Sequence, residues 1–163
     1  TIRELIRRIL IYSDNNAMRL LLSQIQEEQF TDVYTKLEVV LPRDDTTDNY
    51  MIAKDYARFF DSLYHADYNT KADSDTILEL LSQATFRKGL DWGVPDDVRI
   101  AHKFGEREVE GTSIKQLHDC GIVYTKNAPY NICIMMKAKK FPEQQNAIGE
   151  ISSLVYKYMS HQQ

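Results

Sequence analysis

Two short strings carry the residue types that could do chemistry: Ser13-Asp14-Asn15 and Lys103-Phe104-Gly105-Glu106. A hydroxyl and an ammonium held together can move a proton in a general acid–base step. A fixed positive charge in a dry cleft acts strongly on any anion that forms there. What the chain does not contain is a Ser-x-x-Lys nucleophile: no serine has a lysine three positions on. Thr85-Phe86-Arg87-Lys88 has the related Thr-x-x-Lys form, but it follows Ser13 in the chain and sits at the end of an expected helix.

The elements that must position these strings follow from periodicity. Thr1 to Glu4 has the form of a capping box, and Ile2, Leu5, Ile6, Ile9 and Leu10 recur at helical spacing, which predicts a helix over 2–11. Tyr12 to Asn15 breaks that pattern with a turn, and Asp14 or Asn15 can cap a second helix with Met18, Leu21, Leu22 and Ile25 inward. A third helix is expected over about 28–37. A polar loop runs from Pro42 to Asn49. A fourth helix carries Tyr56, Phe59, Phe60 and Leu63, and a fifth starts at Asp73 or Ser74 with Ile77, Leu80 and Leu81 inward. The period then changes to two, which predicts strands over 98–104, 117–124 and 130–137, the first ending at the lysine string. A last helix, about 143–159, shows an apolar face of Ile148, Ile151, Leu154, Val155 and Tyr158. The fold class is α+β: an antiparallel sheet with helical cover plus a helical subdomain. Residues 1–163 form one domain, mainly helical over about 2–97, with a three-stranded meander and a helix over about 98–163.

Composition excludes several classes of function. The 163 residues are 43% hydrophobic and 27% charged, with net charge −4, so nothing attracts nucleic acid or an anionic membrane. No apolar run is long enough to span a bilayer. The chain opens on Thr1, which reads as a mature, cropped or cleaved polypeptide. The four histidines lack metal-ligand spacing and there is no Cys-x-x-Cys, so neither a metal nor another cofactor is expected. Cys120 and Cys133 fall on neighbouring strands. They can pair in an oxidising compartment or pack as small apolar groups; packing is the preferred reading, because the register is not legible.

Ile-Leu-Ile-Tyr-Ser-Asp-Asn-Asn-Ala over 9–17 resembles the helix, turn and helix around the Ser-Asp-Asn motif of penicillin-recognising serine hydrolases, the class A β-lactamases and penicillin-binding proteins. Ala-His-Lys-Phe-Gly-Glu over 101–106 resembles their edge-strand Lys-Thr-Gly motif. His118 to Tyr124 resembles the strand that follows, and Asp45-Thr46-Thr47 resembles a string that precedes a helix in class A enzymes. The resemblance spans nearly the whole chain but only the C-terminal two-thirds of a typical family domain. It implies a β-lactamase/transpeptidase-like fold lacking its N-terminal part, extracytoplasmic localisation, and acyl transfer on a β-lactam or peptidoglycan-type peptide.

The resemblance also implies roles. Ser13 would relay a proton to the leaving nitrogen, and Lys103 would bias that proton and meet the substrate carboxylate. Asn15 would bond the substrate's amide side chain. Gly105 would let substrate approach the strand edge, with Phe104 and Glu106 beside it and a backbone donor near Arg107. Asp14 ties the turn to its surroundings. Three departures stand against a full enzyme. The nucleophile and its lysine are absent, Phe104 replaces a carboxylate-binding hydroxyl, and no Glu-x-x-Leu-Asn follows Ser13, Glu38 being a helix-end residue. The implied function is a fragment of such a hydrolase, inactive alone; the alternative is a non-catalytic binding or scaffold module on the same fold.

Other groups read as structural. His118 and Asp119 are adjacent on a strand and face opposite ways. Asp44, Asp45 and Asp48 lack the glycine and closing glutamate of a calcium loop. A chain of this extent leaves a sheet edge open and an apolar face uncovered, so association with a second copy or a complementing N-terminal segment is expected.

Overall fold

Thr1 opens helix α1 (Ile2–Tyr12), its Oγ1 accepting from Glu4 N–H at 3.3 Å. The computed structural model describes residues 1–40 and 51–161. The polar loop from Pro42, with Asp44, Asp45, Asp48 and the Asp45-Thr46-Thr47 string, lies outside them. Helices α2 (Asn15–Leu22), α3 (Glu27–Lys36), α4 (Ala53–His65) and α5 (Lys71–Ser82) follow. Strands β1 (Ile100–Glu108), β2 (Lys115–Val123) and β3 (Tyr130–Ala138) then form an antiparallel sheet in the order β1-β2-β3, and α6 (Phe141–His161) closes the chain.

The sheet separates two apolar layers, because successive strand residues face opposite sides. Ala101, Cys120 and Ile122 pack on Phe60 of α4 and on Leu78 and Leu81 of α5. Leu117, Ile132 and Ile134 meet Leu90 and Ile148 of α6, and Ile100 and Val123 meet Val155. Helices therefore cover both faces of the sheet, the α+β arrangement that periodicity predicts.

Several expectations need correction. Thr70, not Asp73 or Ser74, caps α5: its Oγ1 accepts from Asp73 N–H at 3.2 Å, and Ser74 is buried within the helix. Strand β1 does not end at Phe104. Its ladder runs to Glu108 opposite Lys115, so the lysine string lies mid-strand. On α2, Ala17 is the buried residue, while Met18 and Leu22 are exposed.

The apolar face of α6 is also turned. Its buried residues are Gln144, Ile148, Gly149 and Ser152. The cause is the turn at Asp91–Gly93: a Cβ on Gly149 would stand 1.9 Å from the Trp92 ring, and Ser152 Oγ donates to Leu90 O at 2.8 Å. Small residues draw that side in and leave Ile151, Leu154 and Tyr158 at the surface, 40%, 67% and 64% exposed. Finally, Cys120 and Cys133 are joined in a disulfide rather than merely packed. They are directly opposed in the β2–β3 register, which puts both side chains on one face.

Candidate active site

The site starts from a tight helix–turn–helix. Ser13 ends α1 in the left-handed conformation, φ 52 and ψ 39, with its N–H on Ile9 O at 3.1 Å. A non-glycine residue held there is strained, and surrounding structure must fix it. Asp14 supplies much of that fixation. Its Oδ1 accepts from Asn16 N–H at 2.9 Å and Ala17 N–H at 3.1 Å, capping α2, and its Oδ2 lies 2.8 Å from Arg8 Nη2. The Ala17 N–H above all, with Asn16 and Arg8, holds the Asp14 carboxyl below its ordinary range. Thr85 anchors the same turn from the far side: its N–H and its hydroxyl both donate to Ile11 O, at 3.0 and 3.2 Å. The Thr85 hydroxyl therefore serves the fold.

Strand β1 brings the second half. Lys103 Nζ donates to Ser13 Oγ and to Phe104 O, the latter at 2.8 Å. Burial pushes the Lys103 ammonium down to about 8, opposed by the Asp119 carboxylate, which pulls it up. Phe104 stacks on Phe86 with centroids 3.9 Å apart and planes at 12°, among the residues that pack on Leu90, Leu117 and Ile148. Its centroid is also 4.8 Å from Lys103 Nζ, so the Phe104 ring, braced by Phe86, gives the ammonium an apolar neighbour. Asn15 stands exposed at the first position of α2, and Glu106 is exposed on β1.

Gly105 has an internal reason to be glycine. A Cβ there would stand 2.3 Å from Cε1 of His118, its partner across the ladder. Gly105 and Glu106 also line a cavity of about 670 Å³ with Tyr34, Tyr56, His118 and Met135. His118 packs on Tyr56 with centroids 5.1 Å apart, and burial lowers its imidazole pKa. Burial likewise raises the Tyr56 phenol to about 12. The cavity thus joins an apolar floor of methionines and tyrosines to the charged side chains of Glu106, Arg107 and Lys137.

Sequence reasoning brought Ser13 and Lys103 to one place and missed what stands behind them. His102 Nδ1 lies 2.8 Å from Asp119 Oδ1, and Asp119 Oδ2 accepts from Leu90 N–H at 2.9 Å, all three residues being buried. This pair fastens β1 to β2 and to Leu90 at the turn before β1, one residue from Lys103. Its signal was available: His102 and Asp119 are polar residues in otherwise apolar period-two stripes. As expected, His118 and Asp119 face opposite sides.

Comparisons with known proteins agree with this geometry. A family model described as the beta-lactamase enzyme family matches residues 1–159. The TLA-3 extended-spectrum beta-lactamase superposes with a TM-score of 0.85 at 20% identity, over 96% of this chain and 64% of that one. PBP-A gives 0.81 at 18% identity, over 99% of this chain and 62% of that one. A beta-lactamase from Chitinophaga pinensis gives 0.84 at 19% identity, over 96% and 64%. The chain thus spans less than two thirds of the length of these relatives, and at such identities they show the fold. No curated protein matches in sequence.

Proposed function

This chain belongs to the beta-lactamase enzyme family, and from that premise we propose that it is the proton-relay and substrate-binding part of a penicillin-recognising serine hydrolase. One observation carries the proposal. Ser13 and Lys103, far apart in sequence, meet through a hydrogen bond between a helix turn and an edge strand. In the reaction, an acyl group passes from a β-lactam or a peptidoglycan-type peptide to a serine nucleophile. Ser13, with Lys103 beside it, returns the proton to the leaving nitrogen. Lys103 meets the substrate carboxylate, which Phe104 has no hydroxyl to bind, and Asn15 meets the substrate amide at the mouth of the site. A donor near Arg107 serves the oxyanion.

The Ser-x-x-Lys nucleophile that takes the acyl group from those substrates is the part this chain does not carry, so towards them the chain by itself is an inactive fragment of one domain over 1–163, incomplete at its N-terminal side. Extracytoplasmic localisation belongs to the same reading and is supported by the Cys120–Cys133 disulfide. Among the described residues no helix is long and apolar enough to cross a membrane. Association with a second copy or a complementing N-terminal segment is supported by β3 at the sheet edge and by the exposed stripe on α6.

The alternative is a binding or scaffold module, and Phe104 in place of the hydroxyl favours it. The test is the natural gene product treated with penicillin G and weighed intact. One penicilloyl adduct, mapped to a Ser-x-x-Lys serine upstream of Thr1 and slowed by Ser13→Ala and Lys103→Ala, is the expected result. A natural protein without that serine, or without an adduct, overturns the catalytic reading in favour of the module.

A further inference from the structure

We propose that Ser13 is itself an acylatable nucleophile in this chain, with Lys103 as its base and activated acyl donors such as aryl esters as its substrates. This goes beyond the relay role, because it needs no second serine.

Geometry carries the inference. Lys103 Nζ donates to Ser13 Oγ, so the amine, once neutral, faces the hydroxyl proton it must take. Serine–lysine pairs of this kind are a recurrent variant of nucleophilic catalysis. Ser13 is also held in a strained left-handed conformation by three fastenings: Asp14 on α2, Arg8 on Asp14, and Thr85 on Ile11. Strain of that kind concentrates where a side chain must be aimed. The Phe104 ring, braced from behind by Phe86, lies beside the ammonium and offers an aromatic face to an aryl leaving group.

The charges around the base agree. From β2, Asp119 raises the Lys103 pKa while burial lowers it to about 8, and His118 is itself pushed down by burial towards its neutral form. On the helix side, Arg8 and Asp14 pair with each other. Near pH 8 a large share of Lys103 is therefore a free amine.

The step balances. Ser13 Oγ forms a bond to the carbonyl carbon while the bond from that carbon to the aryl oxygen breaks. Lys103 Nζ takes the hydroxyl proton and gives it up to the departing aryl oxide or to solvent. No oxidant, metal or cofactor enters.

The test is this chain with 4-nitrophenyl acetate, read by nitrophenolate release, intact mass and peptide mapping. Expected are a burst of up to one equivalent, one added acetyl group mapped to Ser13, and a rate that rises through about pH 8 to a plateau. Ser13→Ala removes the mapped acetyl group. Lys103→Arg keeps the charge but cannot act as the base, and it slows the burst by about 100-fold or more. Acetyl groups on Lys103 or scattered over surface lysines, with Ser13 unlabelled, overturn the proposal. The wild-type map decides this even if a variant fails to fold. A penicilloyl adduct on an upstream serine with Ser13 unlabelled in both experiments would keep the relay reading and remove this one.

Discussion

Replacing Asp119 with alanine tests what holds β1 in place behind Lys103. Its two oxygens serve His102 Nδ1 at 2.8 Å and Leu90 N–H at 2.9 Å, and both partners are buried where water cannot replace the lost acceptor. Each buried group left without a partner costs about 1–3 kcal/mol. Removing one member of a buried pair costs about 3–5 kcal/mol. Two orphaned groups come to about 2–6 kcal/mol, which brackets the figure for one broken pair, so Asp119→Ala should destabilise the chain by about 3–5 kcal/mol. Asp119→Asn keeps the shape and one acceptor oxygen, so its cost should be about 1–3 kcal/mol. The assay is equilibrium urea unfolding, followed by far-UV circular dichroism and by the fluorescence of Trp92, the chain's single tryptophan, which packs on Gly149 of α6. An Asp119→Ala protein within about 1 kcal/mol of the parent would refute the reasoning, since each orphaned group alone should cost at least that. So would an asparagine variant as damaged as the alanine one.

The Cys120–Cys133 disulfide closes a span of 13 residues, and Cys133→Ser should cost about 2–3 kcal/mol in the same unfolding assay, with reduction of the parent giving a similar loss. Gly105→Ala drives a methyl into the His118 ring, and the overpacking should cost about 1–3 kcal/mol; a crystal structure should show His118 displaced from Tyr56. Lys103 predicts a pH dependence. Its folded pKa, about 8, lies below the ordinary 10.5, so between those values the unfolded chain binds more protons and stability rises with pH. The Lys103 contribution to thermal midpoints should climb from about pH 8 to about 10.5 and be flat below about 8, and Lys103→Met should abolish that contribution.

The helices and strands were legible because their apolar periods are regular, as at Tyr56, Phe59, Phe60 and Leu63. Boundaries failed where a side chain outside the period decided them. Thr70 captures the start of α5 through its hydroxyl, and the hairpin bond from Val109 N–H to Ile114 O, 2.9 Å, lets β1 run past the lysine string. The face of α6 failed for a different reason: periodicity marks apolar residues, but small ones such as Gly149 and Ser152 determine which side the Trp92 turn can approach. Of the site, Ser13 and Lys103 were visible as motifs, whereas the His102–Asp119 pair and the cross-strand disulfide depend on register, which periodicity leaves open.

The fastenings around Ser13 and the surface left apolar lie in different parts of the fold. Asp14 with Arg8, Thr85 with Ile11, and Asp119 with His102 and Leu90 all support the Ser13–Lys103 pair through contacts within this chain. Ile151, Leu154 and Tyr158 lie on α6, across the sheet from the helices that carry Ser13. Covering that stripe would add stability through buried apolar area without touching the Ser13–Lys103 bond. Conversely, the charge state of Lys103 depends on burial and on Asp119, which meets only the inner side of α6, through Leu90 and Ser152, while Ile151, Leu154 and Tyr158 are exposed. Association through α6, were it to occur, would therefore leave the Ser13–Lys103 contact as it is. A partner that covers α6 can raise its stability while leaving the chemistry of Ser13 and Lys103 where this chain's own residues set it.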